Sequence, residues 1–226
     1  MRRRVPRINL PWDIDAADLE RQLGLHQVTL VNDVEANARG ILGLGEGDFA
    51  VLQTGAPEGA GTCAVVSAGT GLGEAALWWD GTKHHPAAGE GGSAAFGPSS
   101  QLEIDFHRFL AAERGRVNWG PRSRRLTENR SPVPPSTLFV SIYGARAGDV
   151  ALSYGATGGV YLGGGIAPKL LPRLLEGGFM RAFLAKGRLE SFVRRVPVRV
   201  VLNTDAAVIR AALIARDSVT LERAAA

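Results

Sequence analysis

Of 226 residues, 45% are hydrophobic and 21% charged, and the formal net charge is +4, so the chain can bury a core in one large or two small domains. No apolar run approaches the ~20 residues of a membrane span, and the single cysteine, Cys63, excludes an internal disulfide and fits a reducing cytoplasm. The arginines concentrate in residues 1–7 and 114–125 with no alternating aromatic platform, so nucleic acid is not expected as a partner, and the lack of a long apolar run leaves no membrane partner expected.

Residues 1–7 are basic but run into polar and acidic sequence, so no signal peptide is expected. Residues 13–24 read as a short helix with Asp15 as N-cap, Ala16, Leu19 and Leu23 on one face, and Gly24 as its stop. QVTLV (27–31) reads as a buried strand ending at Asn32-Asp33, and VEANARGIL as the helix after it. Strands are expected over 49–54, 62–69 and 73–79, the last closed by the turn pair Asp80-Gly81. Residues 99–114 are amphipathic, with Leu102, Phe106, Phe109 and Leu110 on one stripe.

A long apolar helix is expected over 136–156, capped by Ser136. A strand entering glycines (159–165), a helix from Pro168, a strand (197–203) and a closing helix (206–216) follow. Alternating strands and helices with glycine turns at strand ends mean α/β architecture. Residues 120–136 break the pattern, being rich in Arg, Pro and Ser with no hydrophobic period, and unstructured loops of that length are uncommon in compact domains.

Four fragments carry candidate chemistry. In VTLVNDVEANARG (28–40), Asp33 stands past a strand end at the mouth of a sheet, where it can accept a proton from a hydroxyl, with Asn32 beside it for a neighbouring hydroxyl. The plainer reading is that Asn-Asp simply caps the next helix. In VVSAGTGLGEAAL (65–77), glycines around Thr70 let backbone N–H groups approach a phosphate, although a glycine-rich hairpin would look the same. In AAGEGGSAAFGP (87–98), Glu90 sits between glycines, as suits a carboxylate binding a sugar diol or a merely solvated acidic loop. In GGVYLGGGIAPKLLP (158–172), three glycines between strand and helix let a base or ribose approach backbone, or form an unliganded crossover.

In order and interval, these four fragments together resemble the bacterial glucokinases of the hexokinase/actin-like ATPase superfamily, as do INLPWDID (8–15), GGFMRAFLAKGR (177–188) and PVRVVLN (197–203). The resemblance implies an α/β actin-like ATPase (ribonuclease H-like) fold, incomplete, with mixed sheets flanked by helices. Residues 1–60 would be the remnant of a small N-terminal domain, and 61–226 a large domain with sugar and nucleotide loops. It implies transfer of the γ-phosphoryl group of ATP, with Mg2+, to the 6-hydroxyl of glucose or a related hexose, in the cytoplasm. A homodimer is carried as an expectation. Residue by residue, Asp33 matches the base and Asn32 and Glu90 the sugar ligands, with Ser93 as a further, shorter-reaching sugar ligand. Gly69, Thr70 and Gly71 match the second phosphate loop, and Gly163, Gly164 and Gly165 the adenosine motif. No metal ligand is assigned to the protein.

Three departures from the family pattern stand out. The family's opening Asp-x-Gly-Gly-Thr-Asn phosphate loop is not found, Ser93 stands where the family has His, and Gly120 where it has a sugar-binding Glu. Residues 120–135 are therefore expected to be read out of frame or to mark an internal deletion, which the gene's nucleotide sequence would decide. Each lost charge-assisted contact costs ~1.5–3 kcal/mol, enough together to lower turnover by orders of magnitude. A non-catalytic remnant that binds sugar or nucleotide is the alternative. A sugar-responsive repressor is disfavoured, because it needs a helix-turn-helix and usually a Cys/His cluster. His84-His85 read as solvated, Cys63 as core, and Trp78-Trp79 as alternating across a strand so that one faces solvent or a partner.

Overall fold

A computed structural model describes residues 4–5, 13–57, 59–69, 71–119 and 135–203. Along them run β1 (Arg4–Val5), β2 (Ile14–Asp15), α1 (Ala16–Leu23), α2 (Asp33–Ile41), β3 (Phe49–Gln53), β4 (Cys63–Ala68), β5 (Leu72–Trp79), β6 (His84–Gly89), α3 (Gln101–Arg114), α4 (Pro135–Tyr154), β7 (Gly159–Gly163), α5 (Leu171–Leu175), α6 (Gly178–Leu184), α7 (Glu190–Arg195) and β8 (Val198–Val201). β1 and β2 form an antiparallel pair, and the other six strands form one mixed sheet in the order β3-β8-β7-β4-β5-β6.

The apolar strands take the middle of that sheet because they can be covered on both faces. All six residues of β4 are buried, and β4, β7 and β8 run parallel. The flanking strands β3, β5 and β6 are antiparallel to their neighbours. Strand alternation then sorts side chains between two layers. Ala64, Val66, Ala68, Val160, Leu162, Val198 and Val200 pack beneath α4, α6 and α7. Cys63, Val65, Ala75 and Leu77 pack against Ala38 and Ile41 of α2. A third cluster, Phe96, Phe106, Leu110, Trp119, Leu138 and Ile142, joins α3 to the start of α4. Close packing of α4 on α6 needs Gly144 and Gly148, where any Cβ would overlap or crowd the carbonyls of Phe179 and Phe183.

α1 follows its sequence signals: Asp15 accepts from Ala17 N and Asp18 N, and Gly24 ends the helix at φ +63°. Other elements depart from expectation. Among the described residues, 27–31 form no strand beyond a single bridge at Leu30, and 28–31 are half-buried. Their apolar, β-branched run lacks a ladder to join among the described residues, and β propensity is realised only against a neighbour. Phe109 is 46% exposed, because the buried face of α3 is centred between Phe106 and Leu110 and Phe109 lies off its margin. Ser136 is no cap: the helix already includes Pro135, a residue suited to a first turn.

β6 was missed because HHPAAG has weak strand propensity and a proline, which an edge strand tolerates. His84 is half-buried, with Nε2 2.9 Å from the Gly61 carbonyl, so it is not simply solvated, whereas His85 is exposed, with Nε2 2.6 Å from Asp80 Oδ2. Trp78 is the exposed member of its pair. β3 belongs to the six-stranded sheet, which therefore crosses the boundary expected at residue 60. The closing helix expected over 206–216, Thr70 and residues 120–134 lie outside the described residues.

Candidate active site

Asn32 closes the N-terminus of α2. Its Oδ1 accepts from Val34 N at 2.9 Å and Glu35 N at 3.2 Å. With the carbonyl oxygen used in the cap, the Nδ2 amide is the part of Asn32 that a ligand can meet. Asp33 is the first helical residue and is exposed, and its Oδ1 also accepts from Val34 N at 2.9 Å. The two readings of Asn-Asp are thus compatible: the pair caps a helix and holds a carboxylate in open space at the helix's positive end.

Where α2 begins is set by the next residue. Val34 seats on Gly73 of β5, where a Cβ would overlap Val34 Cγ2. Gly73 is in register with Ser67 of β4, and Ser67 with Gly163 of β7. Asp33 therefore stands at the sheet edge where β4 and β7 end and β5 begins.

Two glycine turns share that edge. From β4 the chain enters Gly69, whose N–H donates to the Gly71 carbonyl at 2.9 Å, so that N–H is used inside the turn instead of being presented outward. A Cβ on Gly69 or Gly71 would meet nothing within 4 Å, so both face open space. From β7 the chain enters Gly164 at φ +80°, where a Cβ would overlap the Ala68 carbonyl and an L-residue would be strained. A Cβ on Gly163 would lie 2.7 Å from Ser67 Oγ, whereas Gly165 is open. Ile166 N donates to Ala68 O at 3.3 Å. The turn over Gly163–Gly165 thus packs against the end of the strand that feeds Gly69, about 4.8 Å away at ordinary strand spacing.

Glu90 reaches the same edge from β6, because Gly89 is in register with Glu74 near the start of β5. It is exposed and opens a 3-10 turn over Gly91–Ser93, closed by Ser93 N donating to Glu90 O at 2.9 Å. Ser93 is exposed.

Beneath this turn lies a pair of residues that sequence reasoning missed. Glu74, 2% exposed, receives both arms of Arg146: Nε to Oε1 and Nη2 to Oε2, each 2.7 Å. Arg146 Nη2 also donates to Gly91 O at 3.2 Å, and its guanidinium lies 5.1 Å from the Trp119 ring centroid. The available signal was a lone Glu in the apolar strand GEAALWW and a lone Arg in the apolar helix segment SIYGARAG. Buried charges of opposite sign require each other.

Away from this edge, burial pushes the Cys63 thiol up to about 11, opposed by nearby Arg199. Burial likewise raises the Tyr143 phenol, which donates to Val66 O at 2.8 Å. A cleft of about 750 Å³ between α3, α4 and α6 includes Phe96, Leu102, Trp119, Ser141, Arg181 and Lys186 in its walls. Among the described residues no helix is long and apolar enough to cross a membrane, and no group of three His, Cys, Asp or Glu converges as a metal cage.

The arrangement has relatives. The family model described as Glucokinase matches residues 1–120 and 128–218. The chain is 30% identical to the glucokinase of Nostoc punctiforme over 260 residues, covering 92% of this chain and 76% of that one. It is 32% identical to the glucokinase of Caulobacter vibrioides, covering 91% and 72%. An alignment of 260 positions against a chain of 226 means that the relative carries residues this chain lacks.

Among solved structures, a glucokinase from an Antarctic psychrotroph superposes with a TM-score of 0.79 at 24% identity, covering 94% of this chain and 76% of that one. A ROK family glucokinase from Streptomyces griseus in complex with glucose and AMPPNP gives 0.55 at 20%, covering 89% and 72%. These two likenesses establish the α/β actin-like ATPase fold. With the family model matching nearly the whole sequence, and relatives at 30% identity or more covered over most of their length, this chain belongs to the glucokinase family.

Proposed function

We propose that the chain is an ATP-dependent hexose kinase that phosphorylates the 6-hydroxyl of glucose or a close relative. The observation that carries this reading is convergence: residues 33, 69, 71, 90 and 163–165, scattered through the sequence, meet at one sheet edge. Asp33 accepts the proton of the attacking hydroxyl, and the Asn32 amide donates to an adjacent hydroxyl oxygen. Glu90 accepts from further sugar hydroxyls, with Ser93 beside it as a shorter-reaching partner.

The open faces of Gly69 and Gly71 and the left-handed Gly164 fit close approach of a nucleotide's phosphates and adenosine. ATP would supply the phosphoryl group, with Mg2+ carried on its phosphates in a largely aqueous shell. Holding the hydroxyl in line with the phosphoryl group does most of the work in such a transfer. The single cysteine suits a cytoplasmic setting.

Gly120, standing where the family's third sugar ligand is expected, favours a second reading: a remnant that binds sugar or nucleotide without transfer. A coupled assay for glucose-dependent ADP formation, with Asp33→Ala as control, separates the two. Activity lost in the variant supports the kinase. No turnover in either protein, with cooperative melting and measurable glucose binding, establishes the remnant instead.

A further inference from the structure

Resting on the sugar-kinase reading, we propose that Arg146 is the positioning residue for the sugar loop, fixing the backbone from which Glu90 projects. It does so from α4, the helix packed under the parallel strands. The loop sits directly on the buried pair: a Cβ on Gly91 would overlap Glu74 Oε2 and lie 2.8 Å from Arg146 Nη2. The following glycine has no more room, because a Cβ on Gly92 would overlap the Leu72 carbonyl. Gly91 is thus placed by Arg146 and Glu74, and Gly92 by the first residue of β5, immediately after the phosphate-type turn.

The bonding inventory makes Arg146 hard to replace. Its planar fork gives Nε and Nη2 to the two oxygens of Glu74 while Nη2 also serves Gly91 O, and Trp119 covers its face. Remove the guanidinium and a buried carboxylate is left unpaired next to a carbonyl oxygen. The loop then has a reason to lift, carrying Glu90 with it. The glycine turn over 163–165 has its own contacts with Ala68 and Ser67, so nucleotide binding should be insulated from this change.

Two variants test the assignment: Arg146→Lys, and Glu74→Met with Arg146→Met. The double variant removes both charges, which buried pairs often tolerate, but also removes the donor to Gly91. The readouts are thermal melting, calorimetric titration with glucose and with MgATP, and exchange of the Ser93 and Ala94 amides, which donate to Glu90 O and Gly91 O. The expected result for the folded double variant is glucose affinity weakened ~10-fold, MgATP affinity within about twofold, and faster Ser93 and Ala94 exchange, with Arg146→Lys intermediate. Unchanged glucose affinity and loop exchange, or equal loss for both ligands, overturns the proposal. If the unaltered protein binds no glucose, the hexose-kinase reading fails, and exchange alone decides: accelerated loop amides support Arg146 as the positioning residue, and unaltered ones refute it.

Discussion

Gly73 of β5 and Val34 of α2 occupy a space that cannot hold both a Cβ and the valine's Cγ2. Because Asp33 immediately precedes Val34, the missing side chain at 73 decides how close the carboxylate comes to the glycine turns. Gly73→Ala should push α2 outward, costing about 1–3 kcal/mol of stability as an overpacked site does. It should also lower kcat more than it weakens ATP binding. Adding Val34→Ala should restore much of both losses. Melting and turnover of the single and double variants check this, and a double variant no better than the single would refute it.

Asn32 and Asp33 can be separated by substitutions that keep or drop the cap. Asn32→Ala should lose about 1 kcal/mol of stability, while Asn32→Asp keeps the cap. Both should weaken glucose binding, because both remove the Nδ2 donor. Asp33→Asn, at an exposed position, should leave stability within about 0.5 kcal/mol. Its kcat should fall by roughly 10²–10⁴ if the carboxylate is the general base. Chemical denaturation beside steady-state kinetics distinguishes these patterns.

Gly164→Ala places a side chain at φ +80° and against the Ala68 carbonyl. The left-handed backbone alone costs about 1–2 kcal/mol, and the neighbour here is backbone, which cannot rotate away. The adenosine-type turn should shift, raising the KM for ATP while the Kd for glucose stays near its original value. Titration with each ligand separately measures the difference. A larger loss for glucose than for ATP would remove Gly163–Gly165 from the nucleotide site.

Alkaline pH should weaken the fold through Cys63. Burial raises its thiol from 9.0 to about 11, so between those values the unfolded chain has released a proton that the native state still holds. Stability falls wherever the native state binds more protons, here as pH rises through 9 to 11, with a limiting slope of about 1.4 kcal/mol per pH unit for one proton. Tyr143, raised by burial, adds to the loss in the same direction at higher pH. Urea melts at pH 8, 9, 10 and 11 should show the decline, and Cys63→Ala should flatten its first part. The native thiol should resist alkylation at pH 8 and react on unfolding.

Local chemistry was legible wherever a residue needed only its chain neighbours. Asp15 and Gly24 bounded α1 as their types require, and Asn32 capped α2. Gly69, Gly71 and the glycines at 163–165 marked real turns at strand ends. The run 27–31 misled because strand formation depends on a partner elsewhere in the chain. HHPAAG misled the other way: a poor strand sequence paired with β5 because the edge of the sheet accepts it.

By itself the sequence determined the α/β class, the caps of α1 and α2, the apolar central strands and the four motifs in the family's order, since these follow from residue type and near-neighbour spacing. Only the tertiary structure decided that the motifs share one edge, because sheet order and register bring residues 33, 71, 90 and 164 together across long stretches of chain. It also decided that Glu74 and Arg146, 72 positions apart, form a buried pair beneath the loop that carries Glu90. Burial removes the water that would otherwise satisfy each charge separately, and so makes that pairing a property of the fold.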